Sequence, residues 1–93
     1  MTTSSNNISY LENINIYPNP NQGNFNIEIS EVLLNEELDF VFYHILGKKL
    51  RSFKSHGTQI ISVKDLDFPE GITIMEIKSK REVSIRTLMK TKN

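Results

Sequence analysis

The sequence contains no cysteine and no tryptophan among its 93 residues. The first absence excludes a disulfide framework and any thiolate-held metal. It leaves the compartment open, because oxidising compartments also contain cysteine-free domains. The pair of absences excludes the Cys…Trp…Cys core of antibody-type domains. No apolar run approaches the roughly 18 residues of a membrane helix, so no membrane insertion is expected. Residues Met1 to Asn7 are Thr, Ser and Asn after the Met. They have neither the basic start nor the apolar stretch of an export signal peptide. If the protein is secreted, that signal lies elsewhere. The expectation is a piece from the end of a longer polypeptide, with Met1 as an added start.

Basic residues are missing from the first half. Residues 1–47 hold Glu12, Glu28, Glu31, Glu36, Glu37 and Asp39 and no Lys or Arg. Residues 48–93 hold all eleven bases, so a net charge of zero hides a dipolar chain. From Lys78 to Asn93 six bases face Glu82 alone. Two readings stand: a solvated strand with a basic tail, or a basic docking face for an acidic partner.

What is present is β-patterning within the size of one small domain. Residues 1–13 read as a flexible lead and residues 14–93 as the domain. Ile14 to Tyr17 begins a strand that Pro18-Asn19-Pro20-Asn21-Gln22-Gly23 stops, since two prolines remove two backbone donors. From Asn24 to Ile29, Phe25, Ile27 and Ile29 alternate with polar residues, the mark of a half-buried strand. Glu31 to Glu37 suits a loop better than a helical turn. Leu38 to Ile45 is aromatic and β-branched, as a strand near the centre of a sheet should be. Gly47 and Gly57 mark turns on either side of a returning strand from Lys49 to Lys54. Gln59 to Val63, Ile72 to Lys78 and Glu82 to Met89 complete the series. In the last of these Val83, Ile85 and Met89 share one side, and Lys80-Arg81 is the preceding turn although it lacks Gly or Asn. The fold class predicted is all-β, an immunoglobulin-like antiparallel β-sandwich of about seven short strands.

Catalytic chemistry finds little support. Only His44 and His56 are available as bases; His44 lies within a strand and His56 in a turn. No Gly-x-Ser-x-Gly elbow and no Gly-rich phosphate loop are present. Asp65 and Asp67 alternate onto one side, but carboxylates flanking a turn are more often turn formers. Phe40, Phe42, Tyr43 and Phe53 near Lys48, Lys49 and Arg51 mimic a nucleic-acid platform. A chain without Trp needs those rings for its core, and its neutral charge argues against nucleic acid. No enzyme activity, metal or cofactor is expected.

The segment Ile14-Asn15-Ile16-Tyr17-Pro18-Asn19-Pro20-Asn21-Gln22-Gly23-Asn24-Phe25 resembles the opening of type IX (Por) C-terminal sorting domains. Tyr43-His44-Ile45-Leu46-Gly47-Lys48-Lys49-Leu50 resembles their middle hairpin. Leu66 to Ile77, with Pro69-Glu70-Gly71-Ile72, resembles their "Leu, Pro-x-Gly, then strand" element. Arg86, Lys90 and Lys92 resemble their basic ending. The resemblance spans about residues 14–92. It marks Tyr17, Pro18, Asn19, Pro20, Gly23, Gly47, Pro69 and Gly71 as motif residues with fold-building roles. Pro18 and Pro20 would keep added strands from an edge, and Gly23, Gly47 and Gly71 would supply positive φ. Two departures stand out. Thr73 occupies a place usually aromatic, with Phe68 nearby as a source of bulk, and Arg86 stands where Lys is commoner.

The resemblance implies an address. A cargo N-terminal to the domain would be carried through the outer-membrane translocon to the surface or medium. A sortase-like cysteine peptidase would then cut within or near residues 1–13. Arg86, Lys90 and Lys92 would dock on the translocon. The alternative from another class is a carbohydrate- or protein-binding β-sandwich appended to a secreted enzyme. Its mark would be a row of exposed aromatics, which Tyr10, Tyr17 and Tyr43 do not form within one strand.

Overall fold

A computed structural model describes residues 10–64 and 68–91. The described residues form an all-β fold, with seven strands in two antiparallel sheets. They are β1 (Asn15–Tyr17), β2 (Asn24–Glu28), β3 (Leu38–His44), β4 (Lys49–Ser55), β5 (Ile60–Lys64), β6 (Gly71–Lys78) and β7 (Val83–Lys90). One sheet has the order β1-β2-β5 and the other β4-β3-β6-β7. Strand β3 is internal, as its run of Phe, Val and Tyr predicts.

The core follows from the alternation. Phe25 and Ile27 on β2, with Ile29 just beyond it, face Phe40 and Phe42 on β3 and Met75 and Ile77 on β6, and all are buried. Cross-strand register keeps such residues on one face: Phe40 pairs with Ile77 and Phe42 with Met75. Rings pack at edges and offsets, Phe25 to Phe42 at 6.1 Å and Phe40 to Phe53 at 5.2 Å between centroids. Phe68 is buried with its ring 5.2 Å from Phe42. The aromatic run therefore fills the interior and does not form a surface platform.

Two local features depart from the sequence expectations, and a third meets them in an unexpected way. The stretch read as a lead already carries structure at its end: Tyr10–Asn13 is a 3-10 turn, and Leu11 is fully buried. Leu11 and Ile14 are three apart, a helical spacing that puts both on one face, and a composition reading of Ser, Thr and Asn averages this out. Residues 1–9 of that lead lie outside the described residues. Second, Glu31–Leu33 is a 3-10 turn in place of the expected loop, because it buries Leu33. The β6–β7 turn lies at Lys80-Arg81 as expected, and it works without Gly. The Ser79 hydroxyl accepts from the Arg81 and Glu82 amides at 3.2 and 3.1 Å, so a side chain supplies the turn geometry.

The face of β7 differs from that of its neighbours. Val83, Ile85 and Met89 do share one side, and that side is exposed. Ser84 pairs with the buried Ile77 and Leu88 with the buried Thr73. Those partners commit the even-numbered residues of β7 to the interior, so the odd-numbered ones point outward.

Candidate functional site

The Tyr17–Gly23 segment is a clip on the free edge of β7. Both its X-Pro bonds, Tyr17–Pro18 and Asn19–Pro20, are cis. The Asn19 side chain behaves as a strand residue would. Its Nδ2 donates to the Thr87 carbonyl and its Oδ1 accepts from the Met89 amide, both at 2.9 Å. Two residues on, the Asn21 amide donates to the Met89 carbonyl at 2.8 Å and the Thr91 amide donates to the Asn21 carbonyl at 2.7 Å. Asn21 is buried, and its Oδ1 accepts from the Gly23 amide at 2.9 Å. Gly23 has φ 113° and is buried. The clip thus occupies backbone groups that an edge strand would otherwise offer to another chain.

The basic residues of β7 turn toward the protein. Arg86 donates from Nη1 to the Ile14 carbonyl at 2.9 Å and from Nη2 to the Leu11 carbonyl at 2.8 Å. The guanidinium fork suits this, since two parallel donors reach two neighbouring carbonyls, that of Leu11 within the 3-10 turn, which also accepts from the Ile14 amide at 3.2 Å, and that of Ile14 just after it. A primary ammonium would approach them as a single point. Lys90 donates from Nζ to the Phe68 carbonyl at 2.7 Å. Arg86 and Lys90 are half-buried, and Lys92 lies outside the described residues.

The β3–β4 turn forms the end of the molecule from which β7 also leaves. The Gly47 amide donates to the His44 carbonyl and the His44 amide to the Lys48 carbonyl, both at 2.7 Å. The Leu46 amide donates to His44 Nδ1 at 3.0 Å. Gly47 has φ 98°, a conformation costly for any residue with a Cβ. His44 is therefore the last residue of β3, as its place in a strand predicts, and its own ring closes the turn that follows.

These motifs fall along one family pattern. The family model described as a secretion system C-terminal sorting domain matches residues 15–91. The chain belongs to that family. No curated protein matches the sequence. The function of this sorting domain is that of a C-terminal signal for type IX secretion. Its role implies an attached cargo, the type IX machinery, and export to the surface or medium.

Within the sorting domain the motif residues divide by task. Tyr17 ends β1 and is partly exposed. Asn19 and Asn21 clip β7, with Pro18 and Pro20 shaping the run between them. Gly47 and Gly71 both have φ 98°, as turn positions. Pro69 is half-buried beside the buried Phe68. Thr73 faces the interior and its hydroxyl has no hydrogen-bond partner. Sequence reading missed the acceptor partners of Asn19 and Arg86, which lie 68 to 75 residues away along the chain. The available signal was weak: an Asn between two prolines has its own backbone constrained, leaving its amide side chain to do the bonding.

Among the described residues the histidines stand apart. His44 is in the β3–β4 turn network, while exposed His56 has Nε2 3.3 Å from the Asn35 carbonyl at the other end of the sandwich. Glu36 and Glu37 line an open cleft with His56, Lys80 and Arg81. Among the described residues no three His, Asp or Glu side chains could hold a metal ion. Asp65 and Asp67 lie outside the described residues. Among the described residues no helix is long and apolar enough to cross a membrane. The tyrosine row of a glycan-binding face is not formed either: Tyr17 is on β1 and Tyr43 on β3, in different sheets.

Proposed function

We propose that the domain is read as a folded address by the outer-membrane translocon, which docks on the final strand and tail from Glu82 to Asn93. Arg86, Lys90 and Lys92 carry that docking, Lys90 and Lys92 through charge and Arg86 by keeping the strand in position. After export a sortase-like cysteine peptidase removes the domain within or near residues 1–13, where Ser, Thr and Asn offer an accessible backbone. The domain contributes no catalysis of its own. The family match over residues 15–91 is the observation that carries this reading.

The test is an export assay. Residues 1–93 are fused to the end of a periplasmic fluorescent reporter in a host with an intact type IX system. The intact fusion reaches the surface or medium, and a Lys90→Gln/Lys92→Gln fusion stays in the periplasm. A fusion cut after Ile85 is a poor comparison, because it removes Arg86 and most of the clipped edge. Full export of the double variant removes the docking role of the tail. Retention of the intact fusion, with the domain folded, moves the appended binding module ahead.

A further inference from the structure

The β3–β4 turn keeps two apolar side chains in water. Ile45 and Leu46 are both exposed, Leu46 to 87%. The turn is ordered by the His44, Leu46, Gly47 and Lys48 bonds, so the exposure of Leu46 is built in. A lone exposed leucine needs no explanation, but this one has company. Register runs His44 to Thr73 to Leu88, and Gly71 to Lys90. The turn and the end of β7 therefore leave the same end of the sheet, two strands or about 10 Å apart. Ile72 and Met89 form an exposed cross-strand pair on the outer face at that end. Lys48 and Lys49 follow the tip and are exposed. No acid lies between Asp39 and Asp65. The Tyr10–Asn13 turn lies at the other end of the sandwich, packed against the Glu31–Leu33 turn.

We propose that the Ile45–Leu46 tip, with Ile72 and Met89 beside it, is a second docking element that enters an apolar pocket rimmed by carboxylates on a protein of the export machinery. This rests on the reading of the chain as a sorting signal. The apolar pair supplies the buried centre of such a contact and the two lysines its charged rim. A protein pocket fits better than a lipid surface. Membrane-binding segments gather about four to eight Lys or Arg and favour Trp or Phe at the apolar face. The tip has Lys48 and Lys49 and no aromatic side chain at its apex.

The experiment uses the reporter fusion with Leu46→Glu, with Leu46→Ala beside it, and purified domain for melting and vesicle flotation. Leu46→Glu is expected to melt with the parent, since its side chain touches solvent, and to lower export at least about tenfold, the scale of a hot-spot residue. Leu46→Ala is expected to lower it less. Export of Leu46→Glu at the parental rate, with the parent exported, overturns the tip and leaves the sorting reading standing. A parent fusion that is folded and not exported overturns both. Flotation of the parent with vesicles of phosphatidylethanolamine and phosphatidylglycerol, lost in Leu46→Glu, assigns the tip to lipid and overturns the protein pocket.

Discussion

Strands β2 and β7 have similar patterns and opposite orientations. Both alternate apolar with other residues. In β2 the apolar set, Phe25 and Ile27, is buried. In β7 most of it, Val83, Ile85 and Met89, faces solvent, while Ser84, Arg86, Leu88 and Lys90 face inward. The difference lies in what covers each strand. Strand β2 is central in its sheet and sits over the aromatic centre of β3. Strand β7 is an edge whose inward side meets the Tyr10–Asn13 turn, with carbonyls to satisfy. Alternation therefore reports that a strand has two faces, and the neighbouring chain decides which one is the interior.

The comparison predicts unequal costs. Phe42→Ala should be the most damaging change, because Phe42 is fully buried and touches Phe25, Phe53 and Phe68. Loss of such a ring costs about 3–5 kcal/mol, enough to lower the Tm by more than about 10 °C in a domain this size. Thermal melts by circular dichroism measure it, and a change of only a degree or two would mean the aromatic cluster is not the core.

Arg86→Met should come next. It keeps the aliphatic stem and removes both charged hydrogen bonds, leaving the Leu11 carbonyl only its bond from the Ile14 amide, for about 1.5–3 kcal/mol. Hydrogen exchange should speed up at the amides around Ile14 before it does in β3. Arg86→Lys should recover part of the loss, since one ammonium reaches the carbonyls less well than a fork. Equal exchange in Arg86→Met and the parent would mean that the tether does not hold the N-terminal turn.

Much of this was legible in the sequence and some of it was not. The central place of β3, the buried face of β2 and the positive φ at Gly23, Gly47 and Gly71 follow from local rules of side-chain size and backbone freedom. The motif Tyr17 to Gly23 was legible as a strand stop. Its second task was not, because the hydrogen-bond partners of Asn19 come from a strand at the far end of the chain, and no local propensity encodes them. The outward face of β7 was hidden for the same reason: it is decided by pairing with β6. Arg86 read as surface charge because a basic surplus is visible in a sequence, whereas carbonyl partners 72 and 75 residues away are not.

Asn19→Ala tests the clip, with a smaller expected effect. Asn19 is exposed, so water replaces part of what is lost, and about 1 kcal/mol is expected for its two bonds. Asn19→Asp should cost more than Ala. The carboxylate can still accept from the Met89 amide, but it meets the Thr87 carbonyl with no proton to donate. Urea titrations of the two variants give the order. Ala worse than Asp would mean that the Thr87 bond contributes little.

The smallest effect should come from Ile85→Lys, and it is the sharpest test of orientation. Ile85 is 58% exposed and pairs with Glu76 on the outer face. A lysine there has water for its ammonium and a carboxylate across the strand, so stability should stay within about 0.5 kcal/mol of the parent. Solubility should rise, because a charge on the outer face of this edge strand, which carries none, discourages pairing with other chains. The same substitution at Ile27 would bury an unpaired charge and unfold the domain. Melting curves of the two variants side by side therefore read the direction of each strand. If Ile85→Lys unfolds as Ile27→Lys does, β7 packs its apolar face inward, and the Arg86 tether with it would have to be abandoned.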